Sequence, residues 1–383
     1  MRILYVASDQ VVPGHTGGSV HVLEVARGLA SRGHEVHAVV HAQPKAPAEE
    51  PYAGAFFHRV RWSPDHRFFR FRAAGVVESL LERTRADAVL ERYYNFGGEG
   101  VRAASRRNRP VVLEVNSPVV DHPGSTKAAL DALVGRPLRR YREDMCRRAA
   151  ALISPLAEIV PAFARDKTTL VTWGANVLAF APERRVPALR AEWGAPPQST
   201  VVIFSGSHRP WHGVHVLEAA ARRLVARDDL YFVFVGGERG PARGFRGRHL
   251  GRVPYESMPE VVASADVGVA PYDPSRLGQL RLGFYWSPLK IFEYMACGLP
   301  TVTIRLAPLT EIARDEQEGL FFTPGSDEEL ASALARLADD AALRTRLGQS
   351  ARERVVARYS WAVHCAQVEA VLERAVREGA TRA

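Results

Sequence analysis

The sequence predicts an α/β protein made of two domains, each with a parallel sheet covered by helices. Short β-rich runs alternate with segments of helical apolar spacing, and the whole alternation occurs twice. The two series are separated by a proline-rich connection at residues 182–198. Parallel strands need long crossover connections, usually helices. The predicted architecture is therefore two Rossmann-like domains that face each other across a cleft.

The first domain is predicted to span residues 1–181. Its opening run MRILYVAS predicts a strand, and GHEVHAVV predicts the next one. Between them, Val22, Val25, Ala26 and Leu29 recur at helical spacing and predict a helix over residues 19–31. Further strands are predicted at residues 88–90, 111–115, 152–154 and 169–171.

The second domain is predicted to span residues 182–360. The runs VVIFSGS, YFVFVGG, VGVAPY and TVTI predict its strands. Helices are predicted between or after them, at residues 213–226, 258–263, 288–296 and 327–338. Residues 361–383 are predicted to form a C-terminal helix, and its return to the first domain is left open.

Composition narrows the class of protein. The 383-residue chain shows no apolar window near the roughly 18 residues that a membrane span needs and no signal-peptide pattern, so we expect a cytoplasmic protein. The three cysteines are far apart in sequence and suit buried thiols better than disulfides or a zinc site. Oligomeric state stays open.

The charge is uneven along the chain. Of the net charge of +9, +7 falls within the first 180 residues, with peaks in RFFRFR (67–72) and RPLRRYREDMCRR (136–148). A solvated arginine-rich surface explains this, and so does an anionic partner such as a membrane or a phosphorylated acceptor. No zinc-finger spacing or RNP motif supports binding to nucleic acid.

A glycine-rich turn, DQVVPGHTGG, follows the first strand and leads into a helix. Glycines at such a turn let backbone amides approach an anion, although simple turn chemistry explains them equally well. The spacing of Gly14, Gly17 and Gly18 differs from a dinucleotide fingerprint, and the end of the second strand offers no acid for a ribose. A nicotinamide dehydrogenase is therefore disfavoured.

The segment YWSPLKIFEYMACGLPTV carries the most chemistry. Pro288 suits the first turn of a helix that Ser287 caps, which leaves the amides of Leu289 and Lys290 free. Lys290 and Glu293 share one face at i,i+3 spacing. A nucleoside diphosphate fits this face, because its phosphates would meet Lys290 and the helix N-terminus while Glu293 accepts from ribose hydroxyls. The alternative is an exposed ion pair of little energetic consequence.

SPLKIFEYMACGLPTV resembles the donor-binding signature of the retaining glycosyltransferases of family four, specifically the branch with S-P-L-K-x-F-E-Y-M-A. The resemblance extends over nearly the whole chain through GGSVHVLEVARGLASRGHEV, VVLEVNSP, FSGSHRPWHGVHVLEA, LGRVPYESMPEVVASADVGVAPY and YSWAVHCAQVEAVL. It implies the GT-B fold, with a cleft between two Rossmann-like domains. It also implies transfer of a sugar from a nucleotide sugar to an acceptor hydroxyl, with no cofactor and no essential metal.

The resemblance assigns donor-binding roles to particular positions. Glu293 would bind the ribose, and the amides of Leu289 and Lys290 would contact the diphosphate. Gly17 and Gly18 would bring backbone to the phosphates from the first domain. The main chain of Gly251, Arg252 and Val253 would read the base, and Ser287 completes the donor-binding set.

The sequence departs from the family pattern at several positions. Tyr285 stands where relatives often have a second Glu, and Ser207 and His212 stand where an Arg and a Lys usually neutralise the diphosphate. We therefore assign neutralisation to Arg209, His212 and Lys290. Asn116 replaces a His often found after VVLEV, which makes it a weak catalytic candidate beside Arg209 and Lys290. The leaving diphosphate can take the acceptor proton itself. Retaining transfer therefore does not require a Ser/His/Asp set or a carboxylate pair, and neither is evident in the sequence.

The acceptor side belongs to the first domain in related enzymes. The candidates there are His15, Glu91, Glu114 and Asp121, whose acids would suit a cationic small molecule such as an aminocyclitol. A small polar or secondary-metabolite acceptor is slightly favoured over a lipid-linked one, because no long amphipathic helix is evident. A weak peripheral membrane contact through residues 67–72 is kept open.

Other functions share the predicted fold. A nucleotide-sugar epimerase or a phosphorylase needs no separate acceptor alcohol, and a non-catalytic nucleotide-sugar-binding protein would show no turnover. The sequence does not choose the donor base, the sugar, the acceptor or the linkage position.

Overall fold

The computed structural model describes residues 1–14, 16–43, 46–60, 69–285 and 288–382, and these group into two compact units. The first unit comprises Met1–Trp173, a short stretch that begins at Tyr285, and Trp361–Ala383. The second unit comprises Gly174–Phe284 and Pro288–Ser360. Each unit has its own sheet and its own core.

Eight strands form the sheet of the first unit: β1 (Arg2–Val11), β2 (Glu35–His41), β3 (Glu49–Tyr52), β4 (Ala55–Val60), β5 (Ala88–Arg92), β6 (Val111–Glu114), β7 (Ala151–Ser154) and β8 (Thr168–Leu170). Their order across the sheet is β3-β4-β2-β1-β5-β6-β7-β8, and every neighbouring pair except β3–β4 is parallel. The connecting helices are α1 (Gly17–Ser31), α2 (Phe69–Thr84), α3 (Glu99–Arg106), α4 (Thr126–Leu133) and α5 (Pro137–Arg148).

The antiparallel pair β3–β4 is an addition to the predicted pattern. Ala53 and Gly54 form its two-residue turn with φ of 54° and 86°, the two positive values that a tight hairpin turn of this twist requires. The sequence Glu49-Glu50-Pro51 does not look like a strand. It is accommodated because β3 lies at the edge of the sheet, where a proline costs no pairing on its outer side.

Six strands form the sheet of the second unit: β9 (Thr200–Ser205), β10 (Leu230–Pro241), β11 (Gly247–Gly251), β12 (Val267–Ala270), β13 (Thr301–Ile304) and β14 (Gly319–Phe322). They pair in parallel in the order β11-β10-β9-β12-β13-β14. The helices are α6 (Pro187–Trp193), α7 (Val214–Arg223), α8 (Met258–Ala263), α9 (Leu289–Ala296), α10 (Leu309–Ile312), α11 (Asp327–Asp339) and α12 (Ala341–Arg358). The predicted α/β class with two parallel sheets is confirmed.

The proline-rich segment at residues 182–198, predicted as an interdomain connection, contains helix α6 and lies within the second unit. Pro187 begins helix α6, where its missing amide hydrogen costs nothing, and Trp193 is buried at the other end. Arg190 donates from Nη1 to Asp266 Oδ1 at 3.2 Å. These contacts belong to the second unit, which already begins at Gly174.

The C-terminal helix α13 (Trp361–Arg382) packs within the first unit against α1. The buried Cys365 side chain lies 3.8 Å from the Glu24 carbonyl oxygen of α1. Gly28 permits this approach, because a Cβ there would lie 2.3 Å from Cys365 Sγ. The chain therefore returns to the first unit after completing the second. No described helix is both long and apolar enough to cross a membrane.

Candidate active site

Helix α9 places Lys290 and Glu293 at one end of the second sheet. The helix begins at Leu289 with Pro288 at its N-cap, one residue later than predicted, and no side chain caps it among the described residues. Ser287, the expected cap and donor-binding residue, lies outside the described residues. The apolar residues Ile291, Phe292 and Met295 are buried as predicted. The first-turn amides of Leu289 and Lys290 have no intrahelical acceptor, as at any helix start.

Lys290 is buried although it carries an amine. Only 8% of the residue is exposed, and Nζ lies 4.1 Å from the centre of the Phe204 ring and 5.1 Å from that of Tyr272. Nζ has no hydrogen-bond partner among the described residues. Burial lowers the pKa of Lys290 to about 7. A buried amine that aromatic rings hold and no acceptor satisfies is suited to an anion from outside the chain.

Glu293 is buried as well, with 5% of the residue exposed. Tyr255 donates from its hydroxyl to Glu293 Oε1 at 3.1 Å. Burial raises the pKa of Glu293 to about 8, although Tyr255 and the Lys290 charge oppose the shift. Because both side chains are buried and no ion pair between them is found among the described residues, the alternative of an exposed ion pair is wrong.

Two glycines hold the loops around Lys290 close together. Gly206 follows β9 with φ of 137°, and a Cβ there would lie 2.9 Å from Lys290 Nζ. Gly213 has φ of 70°, and a Cβ there would lie 1.6 Å from the Pro271 carbonyl oxygen, beyond the end of β12. Larger residues would not fit at either position. The carboxyl ends of β9 and β12 therefore meet α9 at the sheet edge where parallel α/β domains bind ligands.

His212 does not supply the positive charge that we expected from it. Its Nδ1–H donates to the Ser207 carbonyl oxygen, and the side chain is largely buried beside Trp211 and Tyr272. Burial, helped by repulsion from Lys290, lowers the pKa of His212 to about 3. The imidazole is thus neutral at physiological pH, which corrects the sequence interpretation. Arg209 precedes His212 in the same loop and is exposed.

The other predicted donor residues lie at two sheet edges. Gly251 ends β11 with φ of 72°, and Arg252 and Val253 follow it directly. Gly17 and Gly18 form the first turn of α1, which Thr16 caps by accepting from Ser19 N at 3.2 Å. The helix thus starts two residues before the predicted residue 19. His15, an acceptor-side candidate, lies outside the described residues.

Glu91 and Asp121 are engaged in structural contacts, which corrects their assignment to an acceptor. The buried Glu91 carboxylate accepts from Gly98 N at 2.7 Å and from Val101 N at 2.6 Å, so it fixes the start of α3. Asp121 Oδ1 accepts from Arg142 Nη2 at 2.8 Å. Both oxygens of Glu91 are thus satisfied within the chain, and the charge of Asp121 is balanced by Arg142.

Glu114 belongs to a buried polar cluster of the first unit. Because its carboxylate is used inside this cluster, its assignment to the acceptor is also corrected. Its Oε1 lies 2.7 Å from His21 Nε2, and its Oε2 accepts from Tyr5 Oη at 3.1 Å. Burial alone would raise the pKa of Glu114, but its interactions with His21 and with the Arg92 guanidinium lower it to about 2. Burial lowers the pKa of His21. We therefore treat Glu114 as ionised and His21 as neutral.

His21, Glu114 and His364 have the composition of a metal site, with potential ligand atoms all within 4.8 Å of one another. His364 Nδ1 donates to the Thr172 carbonyl oxygen at 2.8 Å, which leaves the lone pair on Nε2. Arg92 Nη1 donates to His21 Nδ1 at 3.3 Å, so His21 carries its proton on Nε2. Nε2 lies 2.7 Å from Glu114 Oε1 but has no hydrogen-bond partner of suitable angle among the described residues. The Arg92 guanidinium beside this cluster opposes the binding of a cation.

Asn116 lies at the end of β6 within the same buried cluster. Its Oδ1 accepts from Trp173 Nε1 at 2.9 Å, and its Nδ2 is buried with no partner among the described residues. Trp361 Nε1 and His364 Nε2 are likewise buried and unpartnered there. Sequence reasoning did not predict that Trp361 and His364 belong to this buried cluster, although the quoted motif YSWAVHCAQVEAVL contains both residues.

Sequence reasoning also missed the side chains that surround Lys290 and Glu293. Phe204, Tyr255 and Tyr272 each lie in or just after a quoted motif, FSGS, VPYE and VAPY, but no local pattern marks them as neighbours of α9. Their signal is positional, because Phe204 and Tyr272 stand at the carboxyl ends of predicted strands, whereas Tyr255 follows β11, which was not predicted.

The fold and this edge of the second sheet are those of an α/β protein that binds a ligand beyond the carboxyl ends of its parallel strands. Two family models match the chain: a glycosyl transferase 4-like domain over residues 16–167 and glycosyl transferases group 1 over residues 199–340. Phosphatidyl-myo-inositol mannosyltransferase of Mycolicibacterium smegmatis is 28% identical, over 94% of this chain and 90% of that protein. MMP alpha-(1->4)-mannosyltransferase of Mycolicibacterium hassiacum is 27% identical, over 94% and 96%. The chain belongs to the family-four glycosyltransferases.

Solved structures agree on the fold. Sucrose-phosphate synthase of Thermosynechococcus elongatus superposes with a TM-score of 0.74 at 20% identity, over 97% of this chain and 98% of that one. Anabaena HepE, solved with UDP and glucose, superposes with a TM-score of 0.71 at 17% identity, over 97% and 99%. The predicted GT-B fold is confirmed.

Proposed function

We propose that this glycosyltransferase moves a sugar from a nucleoside diphosphate sugar to an acceptor hydroxyl with retention of the anomeric configuration. The observation that carries the proposal is the buried Lys290 amine, which has aromatic neighbours but no acceptor among the described residues. Negative charge develops on the diphosphate as it leaves. A cation and helix amides already placed there stabilise the transition state more than the bound donor.

We assign the remaining contacts to the donor from the positions of residues around α9 and at the end of β11. Glu293, held by Tyr255, binds the ribose hydroxyls, and the amides of Leu289 and Lys290 meet the phosphates. The main chain at residues 251–253 reads the base, and exposed Arg209 adds a second cation. The UDP and glucose in the HepE structure support a nucleotide sugar as the donor class.

For the proton transfer and the acceptor, the protein only has to position the reacting groups. The leaving diphosphate takes the proton of the attacking hydroxyl, so the reaction needs no protein nucleophile and no essential metal. Asn116 follows β6, and its Nδ2, which has no partner among the described residues, is placed to hold an acceptor oxygen. Because Glu91, Glu114 and Asp121 are engaged, the reason for a cationic acceptor disappears, and we favour a neutral or phosphorylated polyol. A relative named for D-inositol 3-phosphate supports that class, whereas the relative named for phosphatidyl-myo-inositol supports a lipid-linked acceptor.

A lipid-linked acceptor is the second candidate. The observation that favours it is an exposed apolar and basic surface on the first unit, which includes Leu133 and Arg136.

Nucleotide binding tests the donor site directly. UDP, GDP and ADP would be compared by thermal shift, since a ligand at about 100 times its Kd adds about 2.7 kcal/mol of stability. We expect one nucleotide to raise Tm and Lys290→Met to abolish that rise. Lys127→Met is the matched control, because it removes the same charge from an exposed site. A full shift in Lys290→Met would contradict the proposed site.

Turnover then separates the alternative functions. A transferase consumes the nucleotide sugar in step with an added acceptor alcohol, whereas an epimerase converts the donor alone. Donor binding without turnover on any polyol or lipid-linked acceptor would indicate a binding protein.

A further inference from the structure

The first unit carries an unusual concentration of exposed apolar side chains at the turn between α4 and α5. Four of the ten exposed large apolar residues of the described chain lie between residues 130 and 138. They are Leu130 (66% exposed), Leu133 (82%), Val134 (69%) and Leu138 (38%). Such side chains are scattered singly on most soluble surfaces, whereas a cluster marks a contact.

Positive charge surrounds this apolar cluster. Residues 126–140 contain four cations, Lys127, Arg136, Arg139 and Arg140, and a single acid, Asp131. No acidic side chain of the described chain forms an ion pair with Arg136 or Arg140, while Arg139 pairs with Glu143 at 2.8 Å. We call residues 126–140 the α4–α5 surface.

The α4–α5 surface is held in place by its acid. Asp131 is buried, and its two oxygens accept from Leu138 N and Arg139 N at 2.9 Å each. The carboxylate thus caps the start of α5 and ties it to α4. The apolar side chains are presented to solvent by an ordered turn, and the one negative charge is turned away from the surface.

We propose that the α4–α5 surface binds an anionic lipid bilayer peripherally. The exposed leucines and valine would enter the headgroup boundary, while Lys127, Arg136 and Arg140 attract anionic headgroups. Two features favour lipid over protein. The cluster is aliphatic and lacks the aromatic residues enriched in protein interfaces. Its positive charge also opposes contact with the same surface of a second copy.

This surface differs from the one that the sequence suggested. The basic and aromatic run at residues 67–72 begins outside the described residues, and the side chains of residues 69–72 are not described either. The leucines of the α4–α5 surface give no amphipathic signal over a long helix, because they belong to two short helices and the turn between them. The inference does not depend on the identity of the sugar donor.

Vesicle co-sedimentation tests the proposal with the full chain. The probes are vesicles of phosphatidylcholine with 30% phosphatidylglycerol, and of phosphatidylcholine alone, at about 0.15 M salt, where exposed charges are screened beyond about 8 Å. We expect binding to the anionic vesicles only. Arg136→Ser plus Arg140→Ser should weaken it about thirtyfold, from two lost cation contacts. Leu130→Ser plus Leu133→Ser should weaken it at least tenfold.

Matched controls keep the test specific. Arg243→Ser plus Arg246→Ser removes two exposed arginines of the second unit, and Leu178→Ser removes a leucine that is 86% exposed there. Both controls should bind vesicles like the parent. Equal loss in controls and test variants, or no binding to anionic vesicles, would overturn the proposal. Dimerisation that Leu130→Ser plus Leu133→Ser abolishes, seen by sedimentation velocity without vesicle binding, would assign the surface to self-association instead.

Discussion

At the scale of single residues, burial decides the chemistry of Lys290 and Glu293. Water is excluded from both, so the neutral form of each group is favoured, and their pKa values move toward each other, to about 7 and about 8. A lysine in this state is readily converted to its charged form by an incoming anion. Phe204 and Tyr272 hold the amine in place without neutralising it.

Glu293→Gln should keep the fold and impair donor use. Loss of a charge-assisted hydrogen bond to the ribose costs about 1.5–3 kcal/mol, or about ten- to a hundredfold in donor kcat/KM. Steady-state kinetics with varied donor would measure this. Glu256→Gln, an exposed position in the same unit, is the matched control. Donor kinetics unchanged from the parent would refute the assignment of Glu293.

Donor affinity should fall as pH rises above about 8. In the free protein burial holds the pKa of Lys290 near 7 and that of Glu293 near 8, whereas a bound donor favours the ammonium form of Lys290 and the carboxylate form of Glu293. Proton uptake by Lys290 and proton release by Glu293 offset each other between these two values, so only above about pH 8 does the complex hold more protons than the free protein, and there affinity drops by up to about tenfold per unit. Calorimetric titration with the nucleotide between pH 6.5 and about 9.5 measures it.

The groups around Lys290 allow the source of this pH dependence to be checked. Glu293 also titrates nearby, with its pKa raised by burial to about 8, while the pKa values of His208 and His212 are lowered, mainly by burial. Lys290→Met should therefore lose the alkaline fall, and Glu293→Gln should retain it and show it from about pH 7, because the opposing titration of Glu293 is gone. An affinity that stays level or increases above about pH 8 in the parent would count against a neutral Lys290.

At the scale of elements, the contact between α1 and α13 joins the two ends of the chain in the first unit. It depends on a glycine facing a cysteine, with no space for a Cβ at Gly28 beside Cys365. Helix propensity alone would favour alanine at this position. Close packing of the two helices therefore overrides local preference.

Gly28→Ala should destabilise the protein, by about 1–3 kcal/mol for an overpacked contact. Gly75→Ala in α2 is the matched control, because a Cβ there meets nothing within 4 Å and should stabilise the helix by about 0.5–1 kcal/mol. Urea unfolding measures both. In a Cys365→Ala background the cost of Gly28→Ala should shrink, since the clashing sulfur is gone. An equal cost in both backgrounds would place the clash elsewhere.

At the scale of the whole molecule, we propose that fixed cations and helix amides neutralise the leaving diphosphate without a metal. The second unit supplies Lys290, Arg209 and the N-terminus of α9 at one sheet edge. In the first unit the only candidate metal cluster of the described chain, at His21, Glu114 and His364, is organised by hydrogen bonds from Arg92 and to Thr172.

Activity should therefore survive EDTA. The assay would compare initial rates of acceptor-dependent donor consumption before and after exhaustive chelation, with added magnesium or manganese as the comparison. We expect rates within about twofold of each other, because no step requires a Lewis acid. Abolition by the chelator with recovery on adding one of these ions would show that the diphosphate is neutralised differently.

The sequence by itself determined the architecture of both units and the importance of α9. Strand and helix periodicities are local properties, so the alternation in VVIFSGS, YFVFVGG and TVTI was sufficient to predict a parallel sheet. The sequence did not predict the edge hairpin β3–β4, because its pairing depends on a partner strand and a turn rather than on its own composition. Lys290 and Glu293 stood out as polar residues in an apolar helix.

Only the tertiary structure decided what those polar residues meet. It gave Lys290 two aromatic rings and no acceptor among the described residues, held His212 neutral, and committed Glu91 and Glu114 to contacts inside the first unit. The tertiary structure also decided which side chains are exposed. Leu133 is an apolar residue of the kind usually found in a core, yet it lies in solvent. Partners that are far apart in sequence set a side chain's burial and charge, and no local spacing records which partners the fold brings together.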